Sequence, residues 1–105
     1  MRLFFIFYVV SPGSLLPETC VSVPLGEGEY PLDPERAYYK ARRLAEEEGY
    51  RLRPLQDRES EGWPLEARAH VSRNREGSGV PLGSDRFSWP CEEIPGKVPD
   101  YQEGL

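Results

Sequence analysis

The run LFFIFYVV at residues 3–10 constrains this chain more than any other feature, because every side chain in it is apolar or aromatic. Aromatic and β-branched residues favour an extended backbone, and the length suits one strand. Alternation puts Leu3, Phe5, Phe7 and Val9 on one face and Phe4, Ile6, Tyr8 and Val10 on the other, so neither face suits water. Such a strand belongs inside a sheet and needs cover on both sides. A helix can cover one; loops or a second subunit are left for the other. The run follows Met1 and Arg2, as the apolar part of a secretion signal would, but it is short for one and no small-x-small cleavage pattern follows. It is also far short of the roughly 20 residues that span a bilayer. No membrane partner is expected.

A chain of 105 residues has room for one core. The expected division is a single α+β domain over residues 1–90 and an extended, proline-containing tail over 91–105. With 11 prolines and 10 glycines, most of them outside the periodic segments, loops should be plentiful. The net charge of −5 makes this an acidic chain and argues against broad binding to phosphate backbones or anionic membranes. Arginine supplies 11 of the 13 basic residues, a bias shared by thermophile proteins and GC-rich genomes. Cys20 and Cys91 lie too far apart for a CxxC pair, and free thiols in a reducing cytoplasm are the expected state.

Residues 19–24 (TCVSVP) alternate well enough for a second strand, with Cys20, Ser22 and Pro24 on one face and Val21 and Val23 on the other. Asp33 followed by Pro34 and Glu35 is a helix start, because the aspartate caps an orphan amide and the proline has none to leave bare. The helix should run to about Glu48, where Gly49 supplies the left-handed residue that stops it and Tyr50 folds back on Ala45. Ala37, Ala41, Leu44 and Ala45 form its buried stripe, with Tyr38 at the margin. Residues 50–56 alternate as a strand, and residues 65–71 alternate most cleanly, Leu65, Ala67, Ala69 and Val71 inward and Glu66, Arg68 and His70 outward. These two should pair as a hairpin. Beyond them only residues 87–89 offer a strand, and Ile94, Val98 and Tyr101 would anchor the tail. The fold class is therefore α+β: a three- to four-stranded mixed or antiparallel sheet, one helix on one face, and a loop-rich C-terminal half.

If the hairpin forms, Arg51, Arg53 and Arg68 share a face with His70, and Arg73 follows in the loop. Such a patch could bind a phosphate, a carboxylate or single-stranded nucleic acid. The plainer reading, and the favoured one, is a solvated face neutralised by Glu59, Glu61 and Glu66. His70 is the one histidine, so acid–base chemistry of the imidazole kind must use it. No nucleophile elbow, phosphate-binding loop or paired metal-ligand spacing accompanies it, so no cofactor or metal is expected. Trp63, Trp89 and Tyr101 are the aromatic candidates for an interface. The leading expectation is a non-enzymatic protein-interaction or regulatory module with a protein partner or as a homodimer. The first alternative is an anion or nucleic-acid binder, nucleic acid being the less favoured ligand. The second is a small enzyme using His70.

Overall fold

The computed structural model describes residues 2–57, 62–75 and 86–95. Five strands and one helix follow in the order β1 (Phe4–Val10), β2 (Thr19–Pro24), α1 (Pro34–Glu48), β3 (Tyr50–Leu52), β4 (Leu65–Ser72) and β5 (Arg86–Glu93). The strands form one sheet in the order β2-β1-β4-β5-β3, and each neighbouring pair is antiparallel. β1 is an interior strand, as its doubly apolar pattern requires.

Several expectations are corrected. Among the described residues the sheet has five strands rather than three or four, β3 spans only Tyr50–Leu52 of the expected residues 50–56, and it does not pair with β4: β5 lies between them. β5 is also longer than residues 87–89. Pro90 sits mid-strand, opposite Glu66 of β4. The amide of Arg53 donates to the Pro90 carbonyl at 2.9 Å, so the missing N–H of Pro90 faces the ragged end of β3. A proline there removes one bond beyond a strand that has already stopped, leaving the β4 ladder intact. β5 therefore carries Cys91 into the core, fully buried, and the amide of Ile94 bonds to the Gly49 carbonyl at 2.9 Å. Residues 96–105, with the expected anchors Val98 and Tyr101, lie outside the described residues, as do Glu59 and Glu61.

The helix begins and ends where its caps dictate. Asp33, extended at φ −82° and ψ 165°, accepts from the Arg36 amide at 2.8 Å. Gly49 takes φ 92°, and its amide reaches the carbonyls of Ala45 and Glu46, a left-handed stop that costs a side-chain-bearing residue far more than glycine. Ala37, Ala41 and Ala45 are fully buried, and Tyr38 nearly so. Small side chains let the helix lie close over Phe5, Phe7 and Val9 of β1 and Ala67, Ala69 and Val71 of β4, which share its core cluster. Each large apolar side chain enclosed there contributes about 1.5–3 kcal/mol. Tyr38 is more than a margin residue: its ring meets Trp89 of β5 edge-on, with centroids 6.1 Å apart. At the far end, the Thr19 hydroxyl donates to Glu48 at 3.0 Å, joining the last turn of the helix to β2.

Candidate functional site

The side of the sheet away from the helix is ordered in cross-strand rows. Ser22, Ile6, His70 and Arg86 make one row across β2, β1, β4 and β5; Cys20, Tyr8, Arg68 and Ser88 make the next. The inward alternation of residues 65–71 is thus realised, and His70 and Arg68 face outward. A hollow of about 440 Å³ opens over this part of the face, lined by Tyr8, Glu66, Arg68, His70, Arg86 and Ser88. The Tyr8 and His70 rings meet edge-on at 6.2 Å. Glu66 grips Arg68 through Nε at 3.1 Å and Nη2 at 2.8 Å, and that carboxylate raises the guanidinium above its ordinary pKa.

The expected arginine cluster is only partly assembled. Arg51 does lie on this side, but β5 separates it from Arg68, and it closes on Glu92 at 2.9 Å. Arg53 lies past the end of β3, in a separate hollow with Trp63, Trp89 and Pro90. Arg73 is exposed in the turn after β4. The cation that does stand beside His70 is Arg86, its partner in the β4–β5 register. A signal for it existed: Arg86, Ser88 and Pro90 alternate with Phe87, Trp89 and Cys91, a period of two that continues through the proline.

His70 is half-buried, and its Nε2 is enclosed without a hydrogen-bond partner among the described residues. Burial first, then the charge of Arg86, hold the imidazole below its ordinary pKa and so in the neutral form. Ser22 Oγ, in the same row, is likewise enclosed and unbonded. Leaving a buried polar atom unsatisfied costs about 1–3 kcal/mol, a cost that a bound polar group would offset. Among the described residues no hydrogen bond joins His70 to a cysteine, a serine or a carboxylate. Cys91 points to the helix side, where burial pushes its thiol up to about 12, so the reactive thiolate is suppressed. No group of three or more metal-ligating side chains comes together among the described residues.

The sheet margins differ as much as its faces. Leu25 donates to the Leu3 carbonyl at 2.8 Å, which sets the alternation of the β1–β2 ladder. Thr19, Val21 and Val23 turn their backbone groups to β1, while Cys20, Ser22 and Pro24 turn theirs outward. Among the described residues this outer edge of β2 is unpaired, and the strand carries no charged residue. The other margin, β3, has three residues and is shouldered by Tyr39, Arg42 and Glu46 of the helix and by Leu55. Beside β2, the β1–β2 loop holds Leu15 at 98% and Leu16 at 76% exposure.

The aromatic candidates fall elsewhere. Trp89 is half-buried on the helix side, stacked on Phe87 with centroids 6.0 Å apart. Trp63 is half-buried near Arg53, and Tyr101 lies outside the described residues. A hollow of about 430 Å³ along the solvent side of α1 is lined by Glu29, Arg36, Lys40, Arg43 and Glu46; Lys40 there is paired with Glu29 at 3.4 Å. No helix among the described residues is long and apolar enough to cross a membrane. No protein-family model, curated protein or solved structure matches this chain.

Proposed function

We propose that this chain is a non-enzymatic interaction module that works through the β2 edge, and that its partner is a second copy of itself. The observation that carries this reading is the state of that edge: six residues long, uncharged and unpaired among the described residues. An open strand edge is a template for pairing, and proteins that must stay apart blunt such edges with charge, bulges or very short strands. β3 is blunted by its shortness; on β2 the one such device is Pro24 at its end, which leaves Cys20 and Ser22 free to pair. A second copy running antiparallel about a two-fold at Val21 sets Cys20 against the second copy's Ser22. Every outward N–H of Cys20 and Ser22 then finds an acceptor, and the uncharged strand brings no like charges together. Leu15 and Leu16, leaving the Thr19 end of the same strand, add apolar area to a contact that strand pairing alone would leave small.

Light scattering coupled to size exclusion, across a concentration series, tests this. The parent chain is expected to shift toward a dimer as concentration rises. Cys20→Pro removes an outward N–H that the β1–β2 ladder does not use, so it should stay folded by circular dichroism and run as a monomer. A parent that is monomeric throughout, or a Cys20→Pro variant that dimerises as the parent does, removes the reading.

A further inference from the structure

We infer that the hollow on the outer sheet face is a binding site for a small organic anion, a carboxylate or phosphate head group carried on a flat body. This site is independent of the β2 pairing. It rests on residues of β1, β4 and β5 that the sheet order brings together and that lie far apart in sequence.

The charges on its lining set the sign of the ligand. Among the described residues Arg68 and Arg86 stand against one carboxylate of the lining, Glu66, so the hollow is locally positive in a chain whose net charge is −5. The two arginines do different work. Arg68 is held at two of its nitrogens by Glu66, which fixes the guanidinium. Arg86 has no acidic partner among the described residues. It lies diagonal to Arg68 across the β4–β5 pair, because Arg68 faces Ser88 and His70 faces Arg86. Diagonal backbones of this kind are about 7–8 Å apart, within reach of two long side chains that converge on one group. Carboxylate and phosphate oxygens are the groups that the guanidinium fork fits best.

The shape sets the rest. A hollow of about 440 Å³ is far larger than a bare oxyanion, and the edge-on pair of Tyr8 and His70 offers ring surface beside the cations. Small-molecule sites combine such apolar walls with a few convergent polar groups. Ser88 also lines the hollow, its hydroxyl a further donor, and the neutral imidazole adds no third positive charge in the way of an apolar body. Of the charged and titratable groups facing His70, Tyr8 comes from β1, Glu66 and Arg68 from its own strand, and Arg86 from β5.

The test uses the single histidine as its reporter. The His70 ring-proton resonance is followed at low salt while benzoate, phenyl phosphate, acetate or inorganic phosphate is added to the intact chain. Benzoate or phenyl phosphate should shift it saturably and raise the pH at which the imidazole titrates, because a bound anion favours its charged form. Arg86→Ala should weaken binding about tenfold, as loss of a charge-assisted bond does, and added salt should weaken it further. Arg73→Ala, in the exposed turn outside the hollow, should leave it unchanged. No saturable shift with any probe overturns the site, as does an Arg86→Ala variant that binds like the parent. Equal affinity for inorganic phosphate and phenyl phosphate overturns the assignment of a ligand body. A chain that binds phenyl phosphate but never dimerises leaves this site standing and removes only the proposed β2 pairing.

Discussion

The two faces of β1 are built from the same kinds of residue and end in different environments. Phe5, Phe7 and Val9 are all fully enclosed under the helix. On the reverse, Ile6 is closed off at 3% exposure, but Phe4, Tyr8 and Val10 stay half-buried, and Ser22 Oγ and His70 Nε2 beside Ile6 lack hydrogen-bond partners among the described residues. Burial here follows cover rather than composition. The alanine stripe of α1 lets a helix lie close on one side, and the same strand without such a helix keeps polar groups and an open hollow on the other. A face that is only half closed is where a chain of this size can hold a ligand, because a fully packed face has no room for one.

That contrast can be broken by mutation, and the largest effect should come from the covered side. Phe7→Ala removes a fully buried ring between sheet and helix and should cost about 3–5 kcal/mol in urea unfolding. A loss under 1 kcal/mol would mean that the helix does not seal this face. Ile6→Ala, one residue along, should cost less, about 2 kcal/mol, at the lower end for deleting a buried isoleucine; a cost equal to that of Phe7→Ala would erase the difference between the faces. Asp33→Ala leaves both faces untouched and tests the helix that creates the difference. Loss of its bond to the Arg36 amide should cost about 1 kcal/mol, and no change in thermal midpoint would show that docking alone sets the helix.

The smallest effect should be a pH dependence from the half-closed side. Burial and Arg86 hold His70 below its ordinary value of 6.5, so below that pH the unfolded chain binds more protons than the folded one. Stability then falls as pH drops from about 6.5 toward the lower folded value, and it is fully present above 6.5. Urea midpoints between pH 5 and 8 should show this decline in the parent and less of it in His70→Gln. Superimposable profiles would place His70 in an environment no different from water.

Part of the candidate site could be read before the fold was known. The outward direction of Arg68 and His70 follows from the alternation of residues 65–71, since neighbouring side chains on a strand must point to opposite faces. Arg86 could not be placed beside them without knowing which strand pairs with β4. Arg51 and Arg53 were drawn into the patch by the same gap: they follow the helix directly, so a hairpin with the next strand was the short connection to expect. Nor does a proline within β5 announce an interior strand: Pro90 is tolerated there only through its register with Arg53.

What the sequence determined by itself was local. Asp33, Pro34 and Gly49 bound the helix, because capping bonds and left-handed backbone are satisfied within a few residues. The two-residue period of β3 and β4 chose which of their side chains face inward, because each has one apolar and one polar face. The order of the strands was decided by the tertiary structure. Every strand offers the same backbone donors and acceptors, so the choice of β5 rather than β3 as the neighbour of β4 is made only when all five compete for the surface beneath one helix.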